Sequence, residues 1–294
     1  MNDRQIAFIM CVNDDRQADE SEFYIRCLEV PEQYEVDVIR VREAESMTAG
    51  YNAAMENSDA RYKVYLHQDT RIIAPGFIRD MINVFKNDDT IGMLGCVGCR
   101  KLPANGQAVG HWDAGMVYHN CIPGMLTLEQ DKEQQPVEVE ALDGLLLATS
   151  RDVRWREDLF DGWDFYDVSQ AFEFRRAGYE IVVPYQKEPW VVHDCGFAKL
   201  TNYDRNRKIC MEEYPEFLNA PEEMELISND EWNCLSSQLA KEIRKMLDRG
   251  KWSEAERVLQ IYHQKQMKSS ELEMLGIICE IEQAERKAGV THFL

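Results

Sequence analysis

Three apolar segments near the start of the chain constrain the fold more than any other feature of the sequence. They are Ile6 to Val12 (IAFIMCV), Val36 to Val41 (VDVIRV) and Val64 to Asp69 (VYLHQD), and segments with helical character at 20–30 and 47–57 separate them. An unbroken apolar run indicates a strand that is buried on both faces. Strands and helices that alternate in this way predict an α/β fold with a parallel sheet and right-handed connections.

The third segment ends in the polar tripeptide His67-Gln68-Asp69. In open α/β folds, ligands bind at the edge of the sheet where strands stop and loops begin. The next segment, Pro75 to Lys86, has apolar residues at helical spacing and predicts an amphipathic helix. A carboxylate in that position suits Mg²⁺ or Mn²⁺, which bind one or two carboxylates together with substrate phosphates. The alternative is that Asp69 only caps the following turn.

The chain is strongly acidic, with 33 Lys and Arg residues against 53 Asp and Glu residues and a formal net charge of −20. This charge argues against non-specific binding to nucleic acid or to anionic lipid. It also repels an anionic substrate, so a phosphorylated substrate would need a cation in its site.

Nine cysteines are scattered along the chain, and several lie in apolar runs, as Cys11 does. An odd number of cysteines in a large chain predicts reduced thiols and a cytoplasmic protein rather than a disulfide framework. The N-terminal MNDRQ has no basic segment followed by an apolar core, so we expect no signal peptide. No apolar run approaches the ~20 residues that a membrane span needs.

Other site motifs are weak or lacking in the sequence. A single CxxC, Cys96 to Cys99, lies upstream of His111, His119 and Cys121 and leaves a structural zinc site as an alternative. No Gly-x-Gly-x-x-Gly or Walker pattern follows the first strand, which argues against dinucleotide or P-loop chemistry. No Gly-x-Ser-x-Gly elbow is present.

The character of the sequence changes after residue 218, which predicts an α/β domain over 1–218 and a small all-α domain over 219–294. Apolar residues from Trp232 to Met246 lie on one helical face, Gly250 ends that helix, and Ser253 begins a second one. The passage LDRGKWSEAERVLQIY resembles one tetratricopeptide-type hairpin. A plain helical appendage is the alternative. These helices are candidates for binding a protein partner or for self-association.

Several short motifs follow one another in a specific order: IAFIMCVND, AGYNAAMENS, YLHQDT, APGFI, DGLLLA and FDGWDFYDVSQAFEFRRAGYEIVVP. Together they resemble the GT-A glycosyltransferases of family 2, and within that family the StrF-like branch (streptomycin biosynthesis). The resemblance covers about Ile6 to Tyr214. It implies a GT-A-type fold with a Rossmann-like mixed sheet. It also implies transfer of a sugar, with inversion, from a nucleotide-diphosphate sugar to an acceptor hydroxyl in glycan or polysaccharide biosynthesis, UDP being the default nucleotide.

The resemblance also implies roles for individual residues. Asp69 and His193 would hold Mn²⁺ or Mg²⁺. The residues expected to contact the nucleotide sugar are Val12, Asn13, Glu43, Asn52, His67, Gln68 and Lys199. The residues expected to contact the acceptor are Gly144, Trp163 and Asp164. Three positions depart from the family pattern: His67 replaces the first acid of the metal motif, Tyr166 replaces a Glu, and Ser169 replaces a further acid.

Asp167 matches the catalytic base of the resembling family. A carboxylate at a helix N-terminus is favoured by the helix dipole and is ready to accept a proton, which supports the same role. The alternative is that it only caps the helix. Two other functions stay open: an inactive homologue that acts as a glycan- or protein-binding scaffold, and a nucleotidyltransferase. The absence of a Gly-rich loop in CVNDDRQADE argues against the latter.

Overall fold

The structure is a computed structural model of the chain that describes residues 1–119, 124–127, 134–194, 202–218, 229–264, 272 and 274–279. The chain divides into two compact units, Met1–Glu222 and Glu223–Leu294. That each unit is a domain in its own right stays a prediction of the sequence.

The first unit is built around mixed β-sheets. Its strands are β1 (Asn2–Val12), β2 (Glu35–Arg42), β3 (Ala60–Leu66), β4 (Thr70–Ile72), β5 (Ile91–Gly95), β6 (Val97–Cys99), β7 (Ala114–His119), β8 (Gly124–Thr127), β9 (Val137–Glu138), β10 (Ala141–Leu142), β11 (Leu146–Thr149), β12 (Glu180–Val183) and β13 (Val191–His193). A seven-stranded sheet has the order β2-β1-β3-β11-β5-β12-β9, and a six-stranded sheet has the order β10-β6-β7-β13-β4, with β8 paired to β7. The predicted α/β fold with a mixed sheet is confirmed.

The helices of the first unit pack on the sheets. They are α1 (Asp15–Arg26), α2 (Met47–Glu56), α3 (Phe77–Asn87), α4 (Tyr166–Arg176) and α5 (Tyr203–Glu213). The helix predicted at 20–30 begins earlier, because the Asp14 carboxylate accepts hydrogen bonds from the backbone N–H groups of Arg16 and Gln17 and so caps α1. The helix predicted from Pro75 begins two residues later, at Phe77, with Gly76 as its cap residue.

Strand β1 is buried on both faces, as its apolar sequence predicts. It is parallel to β2 on one side and to β3 on the other. Ile6, Phe8 and Met10 belong to one hydrophobic cluster, whereas Ala7 and Ile9 belong to a second. Because successive side chains of a strand point to opposite faces, the two clusters form cores on both sides of the sheet.

Strand β3 ends at Leu66, so Asp69 lies in a turn and not in the strand predicted for 64–69. The backbone N–H of Thr70 donates to the carbonyl of His67 and closes this turn, while the N–H of His67 donates to the carbonyl of Leu145. The turn therefore places three polar side chains, from residues 67 to 69, at the carboxyl edge of the sheet.

The second sheet brings a distant strand to the same turn. Strand β13 is antiparallel to β4, with His193 opposite Thr70 and Val191 opposite Ile72. The backbone N–H of Asp194 also donates to the carbonyl of Asp69. The end of β13 is thereby held beside the polar turn that follows β3.

The second unit contains α6 (Asn229–Asp248) and α7 (Trp252–Gln264), with further helical residues at 272 and 274–279. Gly250 lies between the two helices with a φ of 72°, a conformation that glycine adopts readily at helix ends. Among the residues that the structure describes, no helix has both the length and the apolar character needed to cross a membrane. The tetratricopeptide-like character of this unit stays a prediction.

Candidate active site

The site is built where β1, β2 and β3 stop, because parallel strands end at one edge of their sheet. Gln68 joins two of these ends: its side-chain oxygen accepts hydrogen bonds from the backbone N–H groups of Asn13 and Asp14, and its amide donates to the Asn13 side chain at 2.5 Å. Val12 is buried at the end of β1, and Asn13 is exposed beyond it. Val12, Asn13 and Gln68 therefore lie together at the sheet edge.

Glu43 and Asn52, which were also predicted to contact the nucleotide sugar, differ in their surroundings. Glu43 follows β2, is exposed, and has a left-handed backbone with a φ of 55°. Asn52 is only 2% exposed, and its amide makes two hydrogen bonds of 2.9 Å with the backbone of Trp155. Because both ends of the Asn52 amide are engaged in the protein interior, a nucleotide could contact this amide only by breaking its hydrogen bonds to Trp155. Lys199 lies outside the described residues.

Three side chains converge beside the turn. His67 Nδ1 lies 3.2 Å from His193 Nε2, and Asp69 Oδ1 lies 3.5 Å from His193 Nε2 and 3.9 Å from His67 Nδ1. The Asp69 side chain is 23% exposed, so it can be reached from solvent. Its Oδ1 atom is nevertheless buried, and no well-formed hydrogen bond reaches it. These three residues form the only such group of metal-ligand side chains among the described residues.

The electrostatics of this group suit a cation. Burial raises the pKa of Asp69, but the nearby imidazoles of His193 and His67 outweigh this effect and leave the pKa below its ordinary value. Burial, followed by the neighbouring His193, lowers the pKa of His67. An ionised carboxylate and a neutral imidazole are the forms that bind metals, so the donor set fits a divalent ion.

Arg71 holds the backbone that carries Asp69, one of the three side chains of the metal-ligand group. Its side chain is 5% exposed and donates a hydrogen bond to the carbonyl of Asp69 and others to Gln17 and Glu20 of α1. Its guanidinium also lies 3.7 Å from the carboxylate of Asp194. A buried charge with this many partners holds the backbone of residue 69 against the helix. Sequence reasoning missed this residue, because its partners come from separate segments.

Asp167 lies in the first turn of α4, as predicted. Its carboxylate accepts hydrogen bonds from the backbone N–H groups of Gly144 at 3.0 Å and Val168 at 2.9 Å. Burial raises the pKa of Asp167 to about 7, and the nearby carboxylate of Asp143 adds to the rise, while the two N–H groups oppose it. A carboxyl group with a pKa near neutrality is suited to accept a proton in a reaction near pH 7.

The residue before α4 has an unusual backbone. Phe165 has a φ of 66°, in the left-handed region that bulky residues rarely adopt, and its ring is buried 4.8 Å from that of Tyr203. Strained backbone of this kind costs of order 1–3 kcal/mol and persists where the surrounding structure over-determines it. Here it sets the direction in which the first turn of α4, with Asp167, enters the site.

Tyr166 links the two halves of the site. Its hydroxyl makes a short hydrogen bond with Nε2 of His67, so the residue next to Asp167 touches the metal-ligand group. A side chain at residue 144 would overlap this hydroxyl, which explains the glycine there. The sequence motifs contain residues 67, 144 and 166 separately, but nothing in the motifs indicated that these residues are in contact.

Of the predicted acceptor residues, Gly144 contacts Asp167, whereas Trp163 and Asp164 come shortly before it in the chain. Trp163 is 51% exposed, and Asp164 is half-buried with a pKa raised by burial. Gly144 donates to Asp167 as described above. Asp143 lies close enough to influence the pKa values of both Asp167 and His67. Among the sequence motifs, this residue belongs only to DGLLLA, which indicated no role for it in the site.

The alternative zinc site does not form among the described residues. Cys96 and Cys99 are buried thiols, and the Cys99 thiol donates to the carbonyl of Lys101. Burial raises the pKa of Cys99 to about 12, which disfavours the thiolate that zinc requires. Cys121 and the side chain of His119 lie outside the described part of the chain.

The fold and the site define an α/β unit whose central strands end in a metal-ligand group, which Tyr166 links to an acid of raised pKa. A sequence profile described as "Glycosyltransferase like family" matches residues 7–214, more than half of the chain. The chain therefore belongs to this glycosyltransferase family, as its motifs predict. No curated protein sequence matches the chain significantly.

Several solved structures are similar to this chain, although their sequence identity to it is low. TarS of S. aureus is 11% identical with a TM-score of 0.49, covering 80% of this chain and 43% of that one. The mannosyltransferase PcManGT from Pyrobaculum calidifontis, in complex with GDP-Man and Mn²⁺, is 14% identical with a TM-score of 0.46. The match covers 97% of this chain and 88% of that one. GalNAc-T7 with UDP, GalNAc and Mn²⁺ is 12% identical with a TM-score of 0.43. The match covers 78% of this chain and 53% of that one. The chain thus spans less than half the length of the TarS chain.

Proposed function

We propose that this chain is a metal-dependent, inverting glycosyltransferase of the StrF-like branch of family 2. It transfers a sugar from a nucleotide-diphosphate sugar, UDP by default, to an acceptor hydroxyl in cytoplasmic glycan or polysaccharide biosynthesis. The observation that carries this proposal is the contact between His67 and Tyr166. It puts the metal-ligand group and the acid with a pKa near 7 at the same end of the sheet.

The donor lies along the edge formed by β1, β2 and β3. The nucleotide base rests near Val12, Asn13 and Glu43, at the ends of the first two strands. Gln68 braces the first of these ends through its hydrogen bonds to Asn13 and to the following N–H group. The diphosphate then points toward Asp69 and His193.

In this proposal, Asp69 and His193 would hold a Mn²⁺ or Mg²⁺ ion. Such an ion would neutralise the charge that develops on the departing diphosphate. The charge of −20 on the chain makes such a counter-charge necessary for an anionic donor. Arg71, with its hydrogen bond to the Asp69 carbonyl, keeps the carboxylate aimed into the site.

Asp167 accepts the proton of the acceptor hydroxyl as the acceptor oxygen attacks the anomeric carbon. The bond from that carbon to the diphosphate oxygen breaks, and its electron pair leaves with the nucleotide diphosphate. Attack on the face opposite the leaving group inverts the anomeric configuration. Trp163 offers an exposed aromatic face to the acceptor sugar, next to Asp164 and Gly144.

The C-terminal helices are proposed to bind a protein partner or a second copy of the chain. Met274 and Ile277 support this idea, because both are more than half exposed on the helical segment 274–279. Exposed apolar side chains close together on a helix are typical of interaction surfaces.

The proposal is tested with a thermal-shift screen of nucleotide sugars, with and without Mn²⁺. We expect one donor to stabilise the protein only when the cation is present. Asp69→Ala should abolish this cation-dependent binding in calorimetry, whereas Asp167→Asn should keep it and lose about 10²–10⁴-fold in turnover. NMR of the product then gives the anomeric configuration. A protein that binds and hydrolyses no nucleotide sugar with any cation would instead support the scaffold function.

A further inference from the structure

His67 is oriented by different partners at its two ring nitrogens. Nδ1 faces His193 Nε2 at 3.2 Å and Asp69 Oδ1 at 3.9 Å, whereas Nε2 is hydrogen-bonded to the hydroxyl of Tyr166. Only one nitrogen of a neutral imidazole carries a proton, so a partner that accepts this proton at Nε2 leaves a lone pair at Nδ1.

We propose that His67 is a third metal ligand, binding through Nδ1, and that Tyr166 is the positioning residue that holds its ring and tautomer. The site then has two imidazoles and one carboxylate, and it selects a transition-metal ion such as Mn²⁺, Co²⁺ or Zn²⁺ over Mg²⁺. This inference rests on the proposed function only in taking the group of residues 67, 69 and 193 as a cation site.

The spacing of the three donor atoms supports a shared ion. Two ligands that each lie about 2.1 Å from an ion, at angles between octahedral and tetrahedral values, are separated by roughly 3.0–3.4 Å. The three separations here are 3.2, 3.5 and 3.9 Å, so small movements bring all three atoms into range. The buried Oδ1 of Asp69, which no well-formed hydrogen bond reaches, has the partner it lacks if an ion binds there.

The core fixes the hydroxyl of Tyr166. The Tyr166 ring is 3% exposed and packs in an aromatic cluster with Tyr51 and Trp155, at centroid distances of 6.0 and 6.2 Å. Gly144 leaves the space that the hydroxyl fills. A partner held this firmly can orient the ring of His67, as outer partners of metal-binding histidines commonly do.

The donor chemistry sets the selectivity. Carboxylate-rich sites suit Mg²⁺ and Ca²⁺, whereas imidazole suits the later first-row ions, whose affinity rises from Mn²⁺ to Cu²⁺. Residues 67 and 166 are two of the positions at which this chain departs from its family pattern, and the structure places them in contact. They therefore act as one unit: the histidine changes the donor set, and the tyrosine orients the histidine.

Metal binding is measured directly on the metal-free protein by calorimetry, without nucleotide sugar, using Mn²⁺, Co²⁺, Zn²⁺ and Mg²⁺ in turn. We expect Co²⁺ and Zn²⁺ to saturate the site at concentrations at which Mg²⁺ gives no heat.

His67→Asp should weaken Co²⁺ binding and strengthen Mg²⁺ binding. Tyr166→Phe should lower the affinity for Co²⁺ by about 10–100-fold. Tyr214→Phe, which removes another buried hydroxyl, bonded to Glu173, is the matched control and should bind like the wild type.

The nitrogen that binds is identified by NMR of protein with ¹⁵N-labelled histidines, of which the chain has six. In the Zn²⁺ complex we expect the ring of His67 to show a protonated Nε2 and a shifted, metal-bound Nδ1. A purely structural role of Tyr166 would change stability but not these resonances.

Two results would overturn the inference: equal affinity for Mg²⁺ and Co²⁺ in the wild type, or His67 resonances that Zn²⁺ does not move. Both are measured without a sugar donor. If the selectivity is found but no nucleotide sugar binds, the proposed function fails and this inference stands. If a nucleotide sugar binds but the donor-free protein shows no selectivity for Co²⁺ over Mg²⁺, the proposed function stands and this inference fails.

Discussion

Replacement of Asp167 by Asn tests whether this acid is poised as a base or is simply a helix cap. In the folded protein the pKa of Asp167 is about 7, against an ordinary value of 3.8, and burial is the main cause. The folded state therefore binds the proton more tightly than the unfolded state does. This tighter proton binding contributes to the free energy of unfolding. The contribution is fully present below about pH 4 and is lost as the pH rises through about 7.

The size of the effect follows from this shift in pKa. At 1.36 kcal/mol per unit, the ionised carboxylate costs on the order of 4 kcal/mol of stability above pH 7. An asparagine avoids this cost. It cannot accept hydrogen bonds with its NH₂ group, however, so one of the N–H groups of Gly144 and Val168 loses its acceptor, at about 1–3 kcal/mol. We expect Asp167→Asn to be more stable than the wild type by about 1–3 kcal/mol at pH 8 and to lose this advantage at pH 5.

The assay is thermal and urea unfolding of metal-free protein between pH 5 and pH 8. Asp204→Asn is the matched control, because Asp204 is also the second residue of a helix after a tyrosine, but its side chain is 84% exposed. It should change stability by less than about 0.5 kcal/mol at any pH. If Asp167→Asn is instead destabilised equally at both pH values, the carboxylate is a cap that stays ionised, and the assignment as base loses its electrostatic support.

Further outcomes follow from the same contacts. Asp143→Asn removes a negative charge near the proposed base, so the acidic limb of the pH–rate profile, expected near pH 7, should move to lower pH; no movement would mean that burial alone sets it. Gly144→Ala places a methyl group on the hydroxyl of Tyr166, so we expect the metal affinity to fall, as measured by calorimetry, together with the melting temperature. Asn52→Ala removes both hydrogen bonds to the backbone of Trp155 and should cost roughly 2–4 kcal/mol in urea unfolding, with donor binding per folded molecule unchanged.

Much of the fold follows from local patterns in the sequence. The apolar run Ile6 to Val12 specifies a strand buried on both faces, because no polar face is available to meet water. The start of α1 was less predictable. The side chain of Asp14 forms a cap through individual hydrogen bonds, which apolar periodicity does not report.

The sequence by itself determined which chemical groups stand at the ends of strands and helices, since Asp69 and Asp167 both follow from local position. Only the tertiary structure decided which of them meet. His67 touches Tyr166, 99 residues away, and His193, 126 residues away. It also decided the raised pKa of Asp167, because loss of water around a carboxylate depends on what packs over it and not on its neighbours in the chain.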